Sequence, residues 1–154
     1  MIGAVDVVVT NNGAVSLPAT AQMQALAPAF FTFLGTNYAV GSRLPGYVVV
    51  GEPSAPVKAG DLVVLWGTGF GPTTPSVQAG VPVSGAPATA TLPVVTVGGK
   101  PAQVVSSVLT TGSAGLYQLT IQVPAGLTSG PAALEASIGG AKTQANLTIY
   151  VGVD

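Results

Sequence analysis

"LWGTGFGP", residues 65–72, closes an apolar run and carries glycines at three alternate positions, Gly67, Gly69 and Gly71. A glycine-rich turn after a strand serves either as a phosphate cradle or as the exit of a strand from a sheet. A dinucleotide fingerprint spaces its glycines G-x-G-x-x-G, opens a helix and has an acidic residue downstream. Here the spacing is G-x-G-x-G, Pro72 and Pro75 follow, and neither a helical pattern nor a Walker lysine is present. The stretch is therefore read as a strand-exit turn whose glycines permit positive φ. Trp66, on an apolar strand, is expected in the core, and Phe70 is expected to tuck back as a plug.

Strand signals surround this turn. "DLVVLWG" (61–67) is apolar on both faces, which suits a central strand. "LYQLTIQVP" (116–124) alternates with period two, so Tyr117, Leu119, Ile121 and Val123 share one face. "PAALEASI" (131–138) places Ala132, Leu134, Ala136 and Ile138 inward, and "TQANLTIYV" (143–151) does the same with Ala145, Leu147, Ile149 and Val151. "PVVTVGGKPAQVVSSV" (93–108) reads as two strands around Gly98-Gly99, a hairpin turn. Residues 72–92 are rich in Pro, Ala, Thr and Ser and read as a long surface connection or irregular edge strand. Residues 51–60 read as a linker. The best helical stretch, 21–30, is cut by Pro28.

Composition agrees with an all-β reading and excludes several functions. Of 154 residues, 48% are hydrophobic and only 6% charged, with a net charge of −1, against about 25% charged in ordinary soluble proteins. Arg43, Lys58, Lys100 and Lys142 are scattered, so no basic face exists for nucleic acid or for polybasic membrane docking. No apolar run reaches the ~18 residues of a spanning helix. The opening "MIGAVDVVVT" has neither a basic n-region nor a cleavage motif, so in a secreted protein this chain is expected to be one piece. The chain has no Cys and no His, which removes disulfides, His-based zinc sites and every His-dependent nucleophile.

The chain also contains a repeat. Residues 3–23 resemble 130–150: Val5, Val7 and Val9 lie over Ala132, Leu134 and Ala136 at an offset of 127. Leu17, Ala19 and Ala21 lie over Ala145, Leu147 and Ile149 one residue later, a slip ascribed to turn length. The chain thus opens with what reads as the last hairpin of a preceding, similar unit. A lone hairpin is marginal in water, so residues 1–24 need a partner: the 30–50 segment, the main sandwich or another copy. The expected arrangement is an N-terminal β-rich lobe of residues 1–50 packed on a sandwich formed by residues 51–154.

Four motifs occur in order: "AGDLVVLWGTGFG", "VVTVGGKPAQVV", "LTIQVPAGLTSGPAALEASIGG" and "LTIYV". Together they resemble the IPT/TIG family of immunoglobulin-like domains over the last two-thirds of the chain. "LAPAFFTF" (26–33), "GTGFGPTTP" (67–75) and "GLYQLTIQVPAG" (115–126) are more closely similar to an uncharacterised C-terminal module of large secreted acidobacterial proteins. The resemblance implies an immunoglobulin-like antiparallel β-sandwich, an extracellular or cell-surface context within a longer polypeptide, and no catalytic residue to carry over.

Candidate sites follow from residue chemistry. Glu52 and Asp61 are the only near pair of carboxylates and the candidate metal ligands, although Ca²⁺ commonly takes two or three. Asp61, at a strand start, is also suited to turn hydrogen bonding. Asp6 and Glu135 fall on outward faces, and Asp154 is terminal. Lys100, at the "VGGKPA" tip, is the one lysine placed for a Ser–Lys type of mechanism or, alternatively, is a solvated tip. Trp66, Phe70, Tyr47, Tyr117, Tyr150, Phe30, Phe31 and Phe33 could stack on sugars or pack the core. Of these, Tyr150 is expected to be the best exposed, and Tyr150 and Tyr47 are the candidate ligand contacts. No cofactor is expected. The favoured function is a non-catalytic structural, adhesive or assembly module that self-associates or binds protein. The alternatives are a carbohydrate-binding accessory module and a small hydrolase with an unfamiliar site.

Overall fold

The structure, a computed structural model, describes residues 2–152. Strands and turns make up these residues, and no helix occurs among them. The first hairpin comprises β1 (Gly3–Val7), β2 (Thr10–Asn11), β3 (Ala14–Val15) and β4 (Ala19–Met23). β5 (Ala29–Phe30), β6 (Gly41–Leu44) and β7 (Val48–Val50) precede β8 (Leu62–Thr68). β9 (Thr73–Thr74) and β10 (Ala88–Thr89) punctuate the long connection. β11 (Val94–Val97), β12 (Lys100–Leu109), β13 (Tyr117–Gln122), β14 (Gly130–Ile138), β15 (Ala141–Lys142) and β16 (Thr148–Val151) complete the chain.

The main sheet is antiparallel and runs β15-β14-β11-β12-β13-β8-β6-β7, with β5 also on β8, β10 on β12 and β16 on β14. It curls for an identifiable reason. The start of β12 pairs with β11 and the rest with β13, and its register shifts between Val104 and Ser106. Such an irregularity bends a strand and sharpens its twist. The curl brings the far edge of β16 to an early part of the chain. Thr148 accepts from the Ala39 N–H (2.8 Å) and donates to the Asn37 carbonyl (2.9 Å). Tyr150 donates to Gly51 (2.8 Å) and accepts from Val57 (2.9 Å).

The alternating residues fill the interior as expected. Val63 and Leu65 of β8, Leu119 and Ile121 of β13, Leu134 and Ala136 of β14 and Ile149 of β16 are all buried in one core. β8 lies between β13 and β6, the central position expected; Val63 and Leu65 face the core, and on the other face Val64 is buried, Trp66 half-buried and Leu62 exposed. Gly98 and Gly99 form the two-residue turn between Val97 and Lys100, with φ of 57° and 74°, the positive values that such a hairpin turn needs.

Three expectations are corrected. Residues 1–50 do not form one lobe: β5, β6 and β7 hydrogen-bond into the main sheet, while β1–β4, among the described residues, pair only among themselves. Phe30, Ala39 and Val50 supply apolar surface to the core, and the edge of β8 away from β13 takes β5 and β6. The 51–60 stretch is more than a linker, because Val57 is buried and bridged to Val151. Turn length does not explain the repeat's slip. Both hairpins turn on two residues, Asn12-Gly13 and Gly139-Gly140. The extra residue lies instead in a bulge at 144–146, where Asn146 adopts a φ of 61° and Ala145 is exposed rather than inward.

The glycine turn is crossed by the chain's own earlier segment. The Ala27 N–H donates to the Gly69 carbonyl at 3.0 Å. Gly69 has a φ of 76°, and a Cβ there would collide with the Ala27 carbonyl oxygen. Phe70 is fully buried, with its ring 5.3 Å from Phe30 and 5.8 Å from Tyr117. The turn therefore serves packing. Gly69→Val combines a left-handed backbone penalty with a backbone clash and is expected to cost about 3 kcal/mol or more. A thermal melt of the variant checks this; an unchanged midpoint would contradict the packing role.

Candidate functional site

Charge in this chain is tied to the fold. Asp61 Oδ2 accepts from the Lys58 backbone N–H at 2.9 Å and lies 3.6 Å from Arg43 Nη1. The Asp61 N–H in turn donates to the Lys58 carbonyl at 3.1 Å. This reciprocal turn fixes the start of β8. Glu52 accepts from Ser54 Oγ at 2.7 Å within its own turn. Asp6 accepts from Thr20 Oγ1 across the first hairpin, and Glu135 pairs with Lys142 at 3.0 Å across the second. Among the described residues, no group of three or more carboxylates comes together. Asp154 lies outside the described residues.

Lys100 is also a structural contact. Its Nζ donates to the Gly126 carbonyl at 2.6 Å, clasping the loop before β14 to the β11–β12 turn. That contact holds the ammonium on a backbone acceptor rather than beside a serine or threonine hydroxyl.

The aromatic residues lie in four distinct settings. Phe30, Phe70 and Tyr117 form the buried cluster under the glycine turn. Trp66 is only half-buried, contrary to the core placement expected, and its indole N–H donates to Ser42 Oγ at 3.0 Å. Trp66 follows buried Leu65 on β8 and so falls on the opposite face of the sheet. Tyr150 is half-buried and is not the best exposed aromatic. It packs edge-on against Tyr38, with centroids 6.1 Å apart at 68°, so the two rings do not form a flat platform. Tyr47 (56% exposed) at the β6–β7 tip and Phe31 (50%) are the more open rings.

A concavity of about 270 Å³ lies beside the glycine turn and is lined by Val77, Gln78, Val81, Val83, Leu109 and Tyr117 among others. No acidic or basic side chain lines it. The Tyr117 hydroxyl donates to the Gly71 carbonyl at its edge. Burial raises the Tyr117 phenol above its ordinary range. A wider groove of about 530 Å³ runs along β14 and the bulge and contains the Glu135–Lys142 pair.

Two features were not legible in the sequence as chemistry. Gln144, in the bulge, accepts from the Phe30 N–H (3.0 Å) and donates to the Phe30 carbonyl (2.6 Å), a two-way clasp on β5. The hydroxyls of Ser107 and Thr110 are buried and make no hydrogen bond among the described residues. A glutamine or a serine in a polar-alternating stretch carries no signal for either environment.

No family model, curated protein or solved structure gives a significant match to this chain.

The raised Tyr117 phenol has a stability consequence. The folded state favours the neutral form, so this contribution is complete below about pH 10 and is lost as pH rises through the raised value. Tyr117→Phe is expected to cost about 1 kcal/mol at neutral pH by leaving the Gly71 carbonyl without its donor, and to flatten the alkaline decline. Denaturant melts of both proteins between neutral and strongly alkaline pH test this. Parallel stability curves would contradict it.

Proposed function

We propose that this chain is a non-catalytic module, an immunoglobulin-like sandwich of the IPT/TIG kind, that acts as a spacer, adhesive or assembly unit of a larger secreted or cell-surface protein. The ordered motifs support the kinship: the glycine turn, the Gly98-Gly99 hairpin and the closing strands occur in the family's sequence order.

The observation that carries the functional reading is the surface. Asp61, Lys100, Glu52 and Glu135 all hold backbone or neighbouring side chains. Meanwhile the β6–β7 hairpin exposes Tyr47, Val48 and Val49, and β7 ends the strand order of the main sheet. An edge strand with open valines and no lysine is suited to contact with another protein.

The expected behaviour is weak, concentration-dependent association that salt leaves unchanged and Val49→Lys reduces, read by light scattering. Assays on generic esters and lactones are expected to show no turnover. Turnover abolished by Lys100→Ala or Asp61→Asn, at an unchanged melting temperature, would overturn the non-catalytic reading. Glycan binding lost in Tyr47→Ala would move the assignment to a carbohydrate module.

A further inference from the structure

The first hairpin repeats the strand pairing, tip geometry and end bonds of the hairpin of residues 130–151. Gly3 pairs with Met23 as Gly130 pairs with Val151, and the two glycines have φ of 120° and 119°. Val5 faces Ala21 as Ala132 faces Ile149. The Val9 N–H donates to Ser16 Oγ at 3.0 Å, and the Ala136 N–H donates to Thr143 Oγ1 at 3.0 Å. Backbone bonds from Ser16 to Val9 and from Thr143 to Ala136 are both 2.9 Å. The tips match too, with φ of 47° and 82° at Asn12-Gly13 and 55° and 86° at Gly139-Gly140. The two hairpins differ where Leu17 and Pro18 replace the longer bulge at 144–146.

Their surroundings differ completely. In the second hairpin, Leu134, Ala136, Ile149 and Val151 are buried on the core, and Leu134–Ser137 pair with β11. In the first, the counterparts Val7 (46% exposed), Val9 (62%) and Met23 (46%) are open. Among the described residues, Val7–Thr10, the counterparts of Leu134–Ser137, have no strand on their outer edge, because β1 pairs with β4 alone and β2 with β3 alone. The opposite face carries Ala4, Asp6, Val8, Thr20 and Gln22, more polar residues that suit water.

We propose that residues 3–23 are the closing hairpin of a second β-body, built like residues 24–129 of this chain and lying on the N-terminal side of Gly3. That body presents an edge strand like β11 to Val7–Thr10 and an apolar face like Val95 and Val97 to Val7, Val9, Ala21 and Met23. The occupant is a preceding body rather than a second copy of this chain, because in this chain the matching place is already filled by 130–151. It lies N-terminal to Gly3 because Gly130 is itself reached directly from its body. The inference deepens the assembly reading by naming the partner, and it implies a tandem array in which each unit's closing hairpin leads straight into the next unit.

The test places residues 24–129 of a second copy directly before Gly3 of the full chain. The added body is expected to fold, and amides of Val7–Thr10 are expected to exchange at least ~100-fold more slowly than in the parent chain. Val7→Asp with Ala21→Asp should unfold the added body and leave the parent body's melt unchanged. A control fusion adds residues 24–151, with its own hairpin. An added body that stays unfolded while this control folds overturns the proposal. So does a parent chain that is already a dimer with Val7–Thr10 protected, since a second copy would then be the occupant. Turnover in the assays above would sink the non-catalytic reading and leave this proposal standing, so the two fail separately.

Discussion

The rest of the structure depends on one crossing of backbone over backbone. The 25–30 segment lies on the glycine turn closely enough that no side chain fits at Gly69. This contact sets Phe30 against Phe70 and Tyr117. It also leaves the outer polar groups of Phe30 facing the bulge, where Gln144 takes both. Three stretches remote in sequence, 25–30, 67–71 and 143–147, thus meet at one place. Buried peptide groups demand partners, and here a turn and a side-chain amide supply them.

A chain with so few charges must obtain specificity by other means. Most of its polar contacts join hydroxyls, amides and carbonyls, with ionic groups at turn corners: Asp61 under β8, Lys100 beside the β11–β12 turn. Exposed ion pairs add little in any case. Uniqueness comes from register, bulges and glycine-permitted approaches. That economy leaves a sparsely charged surface, and contacts made on it are governed by shape and apolar area rather than by long-range steering.

Period-two alternation made much of the fold legible. β13, β14 and the Gly98-Gly99 hairpin follow directly from it, and the apolar run of β8 marked a central strand. The repeat was legible too, because identical spacing of inward residues reports identical pairing. What alternation does not encode is which free edge a short strand finds. β5–β7 therefore read as part of a lobe although β8 holds β5 and β6, and β6 holds β7. Local pattern also does not tell how deeply each face of an apolar strand is covered, so Trp66 read as core although it lies half-buried on the face opposite Leu65. Tyr38 went unnoticed because its partner, Tyr150, lies more than a hundred residues away. Of the candidate site residues, Asp61 was legible as a turn residue, whereas the carbonyl contact of Lys100 depends on a loop that only folding brings near.

The bridges that β16 makes to Tyr38 and Val57 are parallel. When tension is applied between an early and a late point of a chain, strands paired in parallel slide lengthwise, and their cross-bonds bear load together rather than unzipping one by one. The four backbone bonds of these two bridges, Thr148 with Asn37 and Ala39 and Val57 with Tyr150 and Gly152, are arranged in this way. Tension applied between the first third of the chain and β16 would therefore load these bonds in shear.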